Sequence, residues 1–260
     1  MKPTLSAQNI IKIFGKANHP RCVTALKDVS IEVFKGETVG LVGESGSGKT
    51  TISRILIGIE AATSGEVFRD GRPVHKLADW RELRRHIQYV FQDPFTALCP
   101  TMRIGAALTE PLIVHKKCHR AEYSEKVTLM LEKVGLHPDV MRRLPVQLSG
   151  GQRQRVSLAR ALMLEPDVLI CDEIVSGLDV SVQAQVLQLL INLQDELGIS
   201  IIFISHDLRV IKYMSDRVYV MYEGEVVESG TTDTVFNNPS HSYTKSLLAA
   251  IPGANGSNSF

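Results

Sequence analysis

Gly43-Glu44-Ser45-Gly46-Ser47-Gly48-Lys49-Thr50 follows the spacing G-x-x-x-x-G-K-[ST], and each residue type in it answers a need of phosphate chemistry. The glycines let successive backbone N–H groups turn inward, forming an anion-binding nest at a helix N-terminus. The Lys49 ammonium reaches β and γ phosphates, and the Thr50 hydroxyl is a Mg²⁺ ligand. Thr51, next along, is read with the loop as part of the same phosphate-binding group. A second group of residues lies in Val168-Leu169-Ile170-Cys171-Asp172-Glu173, an apolar run ending in two carboxylates. A carboxylate at the tip of a parallel strand beside such a loop holds Mg²⁺ through water, which suits Asp172. Side chains alternate along a strand, so Glu173 points elsewhere, toward an attacking water. Leu148-Ser149-Gly150-Gly151-Gln152 opens a helix carrying Arg153, Arg155 and Arg160. Ser149 is a good N-cap, and the glycines leave N–H groups open to an anion. A second anion site in a chain with one phosphate loop makes sense if it serves another subunit's nucleotide.

These residues need elements to hold them. Thr38 to Val42 is a short apolar run leading into the loop, and Thr51 to Ile59 reads as the helix after it. Leu5 to Phe14 and Ala25 to Phe34 interleave apolar and polar residues as half-buried strands do, with a loop from Gly15 to Thr24 between them. Gly65 to Val74 reads as a hairpin turning at Asp70-Gly71, and strand His86 to Phe91 follows a basic helix. From about Thr101 to Leu144 the chain is helix-forming; Glu122 to Val134 puts Val127, Met130, Leu131 and Val134 on one face. Then come helix Gly150 to Leu164, strand Val168 to Cys171, helix Val180 to Leu197, strand Ile201 to Ser205 and helix Asp207 to Met214. Strands Arg217 to Tyr222 and Glu225 to Glu228 turn at Glu223-Gly224. Strands alternating with helices indicate a mostly parallel α/β core, and the early hairpins an antiparallel β subdomain beside it.

Bulk properties narrow the function. The chain has 260 residues, 44% hydrophobic and 22% charged, the proportions of an ordinary globular protein. Lys plus Arg is 29 against 28 for Asp plus Glu, a balance that supplies no broad field for nucleic acid or anionic lipid. The basic clusters at Arg81 to Arg85 and Lys116 to Arg120 read as solvated helix faces. Cysteines at 22, 99, 118 and 171 show no CxxC pair and fit a reducing compartment. The sequence shows neither a signal-peptide stretch nor an apolar run long enough to span a bilayer, so work at a membrane requires other chains to hold it there.

The phosphate loop, the LSGGQ pentapeptide and the Asp-Glu strand, in this order, strongly resemble the nucleotide-binding subunit of ATP-binding-cassette (ABC) transporters. The resemblance spans about residues 3 to 252 and extends to further positions. It implies that Gln92, in Tyr-Val-Phe-Gln-Asp-Pro, is the Q-loop glutamine, a ligand of Mg²⁺ and water. It implies that Ser176-Gly177-Leu178-Asp179 is the D-loop, with Asp179 crossing to the other subunit, and that His206 is the switch histidine contacting the γ-phosphate. Phe14 stands where the family stacks an aromatic ring on adenine. Asn238-Pro239-Ser240-His241-Ser242-Tyr243-Thr244-Lys245-Ser246-Leu247-Leu248, Phe91-Gln92-Asp93-Pro94 and the segment from Leu178 to Gln185 are similar to the oligopeptide, dipeptide and nickel importer ATPases. Ile174 stands where the family usually has Pro, and Gly177 where it has Ala.

The resemblance implies a P-loop NTPase core with an antiparallel β subdomain and an all-helical insert. That is a single ABC ATPase domain, with core and antiparallel sheet over about 3–100 and 165–252, the insert over about 101–164 and a flexible tail at 253–260. It further implies an ATPase using ATP and Mg²⁺ on the cytoplasmic face of a bacterial inner membrane. Two permease subunits, a second ATPase (paralogue or self) and an extracytoplasmic solute-binding protein are the implied partners. The solute is of the peptide or nickel/metal-chelate type. The alternative is a soluble accessory ATPase of an enzyme complex such as carbon–phosphorus lyase.

Overall fold

The computed structural model describes residues 2–15, 22–93 and 97–250. Most of the Gly15 to Thr24 loop, Pro94 and the expected tail at 253–260 lie outside them. The chain divides into two compact units, Met1–Trp80 with Ile201–Phe260, and Arg81–Ser200.

In the first unit, strands β1 (Leu5–Phe14), β2 (Val23–Val33), β4 (Ser64–Arg69) and β5 (Arg72–Pro73) form an antiparallel sheet in the order β2-β1-β4-β5. The pairing of β1 with β2 shifts register between Ala7 and Ile10, where Asn9 takes a φ of 51°. Such a bulge re-aims the strand and interrupts its alternation. The strands β3 (Thr38–Val42), β8 (Ser200–Ile204) and β9 (Arg217–Tyr222) are parallel, with β3 between the other two. Every residue of β3 and β8 is buried, the continuous apolar pattern of parallel strands covered on both faces. The strand β10 (Glu225–Thr231) returns antiparallel to β9 through the Glu223-Gly224 turn. It runs three residues beyond the expected Glu228 because Ser229, Gly230 and Thr231 pair with Tyr219, Val218 and Arg217.

Helix α1 (Lys49–Leu56) begins at Lys49, earlier than Thr51, and ends before Ile59. Helix α2 (Leu77–His86) carries the chain from the first unit into the second. There β6 (Ile87–Val90) pairs in parallel with β7 (Val168–Asp172). The helices are α3 (Ile104–Val114), α4 (Tyr123–Lys133), α5 (Gly150–Leu162) and α6 (Val180–Leu197). Ile104, Leu108 and Leu112 of α3 recur every four residues and pack with Val127, Leu131 and Val134 and with Val156, Ala159 and Met163. Each such large side chain contributes about 1.5–3 kcal/mol on burial, so the insert has a core of its own. The predicted face of α4 holds: Val127, Leu131 and Val134 are fully buried and Met130 packs partly against them.

Back in the first unit, α7 (Leu208–Met214) is followed by two helices the sequence reading left unassigned, α8 (Thr232–Asn237) and α9 (Ser242–Ala249). Both are short, too short for an apolar period to register. Their caps are local: the Thr231 side chain accepts from the Thr234 amide, and His241 accepts from the Tyr243 amide.

Candidate nucleotide-binding and hydrolysis site

The phosphate loop lies wholly in the first unit, between β3 and α1. Gly43 is buried with a φ of 151°, and a Cβ there would stand 2.1 Å from the Met221 carbonyl oxygen. Only glycine fits so close an approach of two backbones. Gly48 caps α1 in a left-handed conformation with no side-chain cap bond, and the first turn of a helix is where backbone amides favour an anion. Lys49 is 6% exposed. Its ammonium donates to the Gly43 and Glu44 carbonyls at 2.7 Å each, and to Ser47 Oγ at 3.3 Å. The loop is therefore folded around one cation, with Glu44, Ser45 and Gly46 exposed at its rim and Thr50 and Thr51 half-buried behind it.

The carboxylates lie in the second unit. Asp172 ends β7 and is 6% exposed. The Tyr89 hydroxyl, from β6, donates to Asp172 Oδ2 at 2.5 Å, the short distance of a charge-assisted bond. Glu173 leaves the strand with a φ of 49°. A non-glycine residue held there carries strain, a recurrent feature of catalytic positions. Its carboxylate oxygen Oε2 accepts Gln92 Nε2–H at 2.9 Å, and the same amide nitrogen stands 3.3 Å from Ser176 Oγ. Gln92, Glu173 and Ser176 are thus brought together. Tyr89 is the partner that sequence reasoning missed; nothing in the sequence ties it to Asp172, 83 residues away.

The LSGGQ segment and the D-loop also lie in the second unit. Ser149 is exposed, accepts from the Gln152 amide at 3.3 Å, and donates its own amide to Gln152 Oε1 at 3.1 Å. This reciprocal capping box fixes the start of α5. Leu148 is buried, and its carbonyl accepts from Arg153, anchoring the segment while Ser149 faces solvent. Asp179 caps α6, accepting from the Val182 amide at 3.0 Å and from Ser181 Oγ at 2.8 Å. Those bonds hold its carboxyl below the usual range. Asp179 and Val180 are exposed, Val180 to 83%.

His206 and Phe14 belong to the first unit. His206 is exposed just after β8, and the next residue, Asp207, caps α7. Arg209 bonds the Asp207 carboxylate and lowers its pKa. Phe14 is 39% exposed at the end of β1, with the Lys12 ammonium 4.6 Å from its ring centroid. One face of the ring is therefore engaged by a cation.

The departures at 174 and 177 have physical reasons. The Ser176 amide bonds the Glu173 carbonyl at 3.0 Å, closing a turn in which Ile174 holds the position that proline favours. Ile174 is 1% exposed and fills the interior instead. Gly177 takes a φ of 75°, a conformation that strains alanine.

Oxygen donors fit Mg²⁺, a hard cation that keeps several waters and shares phosphate oxygens; the Thr50 hydroxyl, the Asp172 carboxylate and the Gln92 carboxamide are of that kind. The parallel α/β core with a helix-capping phosphate loop makes this a P-loop nucleotide-binding protein. The ABC transporter family profile matches residues 26–176. Over 236 residues the chain is 50% identical to the oligopeptide transport ATP-binding protein OppF of Salmonella typhimurium, covering 90% of this chain and 71% of that protein. It is 48% identical over 256 residues to the dipeptide transport ATP-binding protein DppF of Haemophilus influenzae, covering 96% and 78%. Among solved structures it resembles cbiO1 of Clostridium perfringens, part of the ABC transporter complex cbiONQ. There the TM-score is 0.81 at 30% identity, with 92% of each chain covered. It also resembles the ATP-binding cassette MJ0796 in a dimeric post-hydrolysis state bound to ADP and Pi, with TM-score 0.78, 29% identity and coverage of 88% and 98%. The chain belongs to the ABC transporter family, among its ATP-binding subunits.

Proposed function

We propose that this chain hydrolyses ATP to energise the uptake of a peptide-class solute through partner permeases. The observation that carries the reading is the Gly43–Thr50 loop folded around Lys49. It occurs in a chain about half identical to peptide-transport ATP-binding proteins. The loop amides, Lys49, Thr50 and Thr51 hold the phosphates, and Phe14 stacks on adenine. Mg²⁺, when bound, neutralises charge on the β and γ phosphates, and Thr50, Gln92 and Asp172 are the residues that would hold it. Glu173 polarises the attacking water, and its bond from Gln92 fixes the carboxylate's orientation. Lys49 and His206 stabilise charge on the transferring phosphoryl group.

Leu148 to Gln152, with Asp179, serve the nucleotide of a second ATPase subunit, a paralogue or another copy; the exposure of Ser149 and Asp179 supports this. An extracytoplasmic binding protein delivers the solute, and the chain works at the cytoplasmic face of the inner membrane. Among the described residues no helix is long and apolar enough to cross a membrane, so the permeases hold it there. Their cytoplasmic helices dock in a cleft of about 560 Å³ in the second unit. Arg81, Arg84, Arg85 and Arg160 line it together with Phe91 and Val114, a mixture suited to a short amphipathic helix bearing carboxylates.

Titration with a fluorescent nucleotide, alongside phosphate release, tests the reading. Lys49→Ala is expected to weaken MgATP binding and abolish turnover; unchanged affinity and unchanged hydrolysis would overturn the loop's assignment. Uptake of labelled oligopeptide and of labelled nickel, in cells carrying wild type or Glu173→Gln, then identifies the solute. Peptide uptake is expected to be lost in the variant, and loss of nickel uptake alone would replace the peptide reading.

A further inference from the structure

The segment from Asn238 to Thr244, so far only a mark of kinship, is tied to the phosphate loop inside the first unit. Glu228 on β10 is its anchor. The Ser240 amide donates to Glu228 Oε1 at 2.6 Å and the His241 amide to Oε2 at 3.1 Å. Thr244, in the first turn of α9, is 1% exposed and so is buried with the segment. His241 then caps α9 by accepting from the Tyr243 amide at 3.2 Å. These bonds leave Tyr243 in the first turn of α9 with little freedom. Its ring packs on Tyr222 at a centroid distance of 4.2 Å, and Tyr222 ends the strand whose Met221 carbonyl touches Gly43.

The Tyr243 hydroxyl oxygen accepts the Glu44 amide at 3.0 Å. That N–H belongs to the peptide group joining Gly43 to Glu44, and the carbonyl of the same peptide group is the Gly43 oxygen bonded by the Lys49 ammonium at 2.7 Å. One peptide plane is therefore held at both ends, by Tyr243 on one side and Lys49 on the other. Rotating it would break both bonds and swing the carbonyl that aims the ammonium. Glu44 is exposed, so without Tyr243 this amide bonds water and the plane loses its fixed direction.

We propose that Tyr243 is a positioning residue of the phosphate loop. Its hydroxyl orients the Gly43–Glu44 peptide and through it the Lys49 ammonium, and Glu228 holds Tyr243 in place. The role rests on the reading of the loop as an ATP site. Burial pushes the Glu228 carboxyl up, but the bonds from the Ser240 and His241 amides counter it, and the carboxyl lies below the usual range. The anchor is therefore fully charged at neutral pH.

The test compares MgATP affinity in wild type, Tyr243→Phe, Glu228→Ala and the double variant, with thermal unfolding of each as a check on folding. Tyr243→Phe keeps the ring on Tyr222 and removes only the hydroxyl. Its dissociation constant is expected to rise about three- to tenfold, the range of one lost hydrogen bond. Glu228→Ala is expected to weaken binding as well, and to add no further loss in the Tyr243→Phe background, because it acts through that hydroxyl. A tail that merely packs would lower the unfolding temperature and leave affinity unchanged. Wild-type affinity in Tyr243→Phe, or independent losses in the double variant, overturns the proposal. Lys49→Ala separates the two levels. If it binds MgATP like wild type, the loop's assignment fails; if it loses binding while Tyr243→Phe does not, the positioning role alone fails.

Discussion

Glu173→Gln targets one property, the charge of the proposed general base, because glutamine keeps the side chain's shape and an acceptor oxygen. The 2.9 Å bond from Gln92 Nε2 needs only an acceptor oxygen, which the new carboxamide supplies. The backbone turn, closed by the Ser176 amide on the residue 173 carbonyl at 3.0 Å, does not involve the side chain. With its oxygen turned to Gln92, the amide presents N–H groups where the second carboxylate oxygen stood, so it can no longer take a proton from water. Loss of a positioned base costs about 10²- to 10⁴-fold in rate, or roughly 2.7–5.4 kcal/mol on the barrier. The bond from Gln92 also changes from charge-assisted to neutral, worth about 1 kcal/mol at most for so exposed a partner. Folding should therefore be nearly unaffected. The γ-phosphate stays in place, so ATP binding is retained and an ATP-bound dimer accumulates, with this chain or a paired ATPase. Phosphate release, nucleotide titration and size measurement with and without ATP read all three. A variant that turns over at the parent rate, or stays monomeric with ATP bound, refutes the shared-site mechanism.

Three further outcomes follow from the same geometry. Ser149→Arg removes the capping box of α5, at a cost of about 0.5–2 kcal/mol. It should leave ATP binding by the single subunit intact while blocking dimer closure in the same sizing assay. Cysteines placed along Glu110 to Arg120 should cross-link to the permeases' cytoplasmic helices. Contacts mapping to the Gly65 to Val74 hairpin instead would displace the docking surface. Gly177→Ala meets no atom within 4 Å at a φ of 75°, so it tests strain alone. About 1–2 kcal/mol of destabilisation should lower the unfolding temperature by roughly 2–8 °C, and an unchanged midpoint would show that the turn relaxes freely.

Much of the fold was legible because its signals are local. Asp179 before Val180 and Gly198 after Leu197 bracket α6 at both ends, as cap and left-handed stop. The apolar runs of β3 and β7 read as buried strands because every position is covered. The phosphate loop, the pentapeptide and the two carboxylates are singled out by residue type and spacing, and they lie at the start of α1, the start of α5 and the end of β7. What escaped was short or long-range. Helices α8 and α9 are defined by caps rather than by period. The bonds Tyr89 to Asp172, Gln92 to Glu173 and Tyr243 to Glu44 join positions 83, 81 and 199 residues apart, and only a folded chain reveals them. Phe14 lies between. Its place at the end of β1 was readable, whereas the Lys12 ammonium beside its ring was not.

The arginine-lined cleft has a consequence for the life of the subunit before assembly. Among the described residues only Glu110 is an acidic wall of the cleft, and it is paired with Arg160 at 2.8 Å. Burial, and then Arg85, hold His115 below its usual pKa, so the histidine stays neutral rather than adding to the crowd. Arg81, Arg84 and Arg85 line the same hollow, with Arg85 3.6 Å from Glu82, so basic side chains outnumber acidic ones along its described wall and give it a positive field. A multivalent anion such as sulfate, if bound at this wall, would stabilise the folded form. If the permeases dock there as proposed, a subunit without them lacks the stabilisation that binding would add, and small differences in stability translate into faster removal in the cell. On that docking, gene dosage would be coupled to protein lifetime, and an orphan copy would be the one that quality control reaches first.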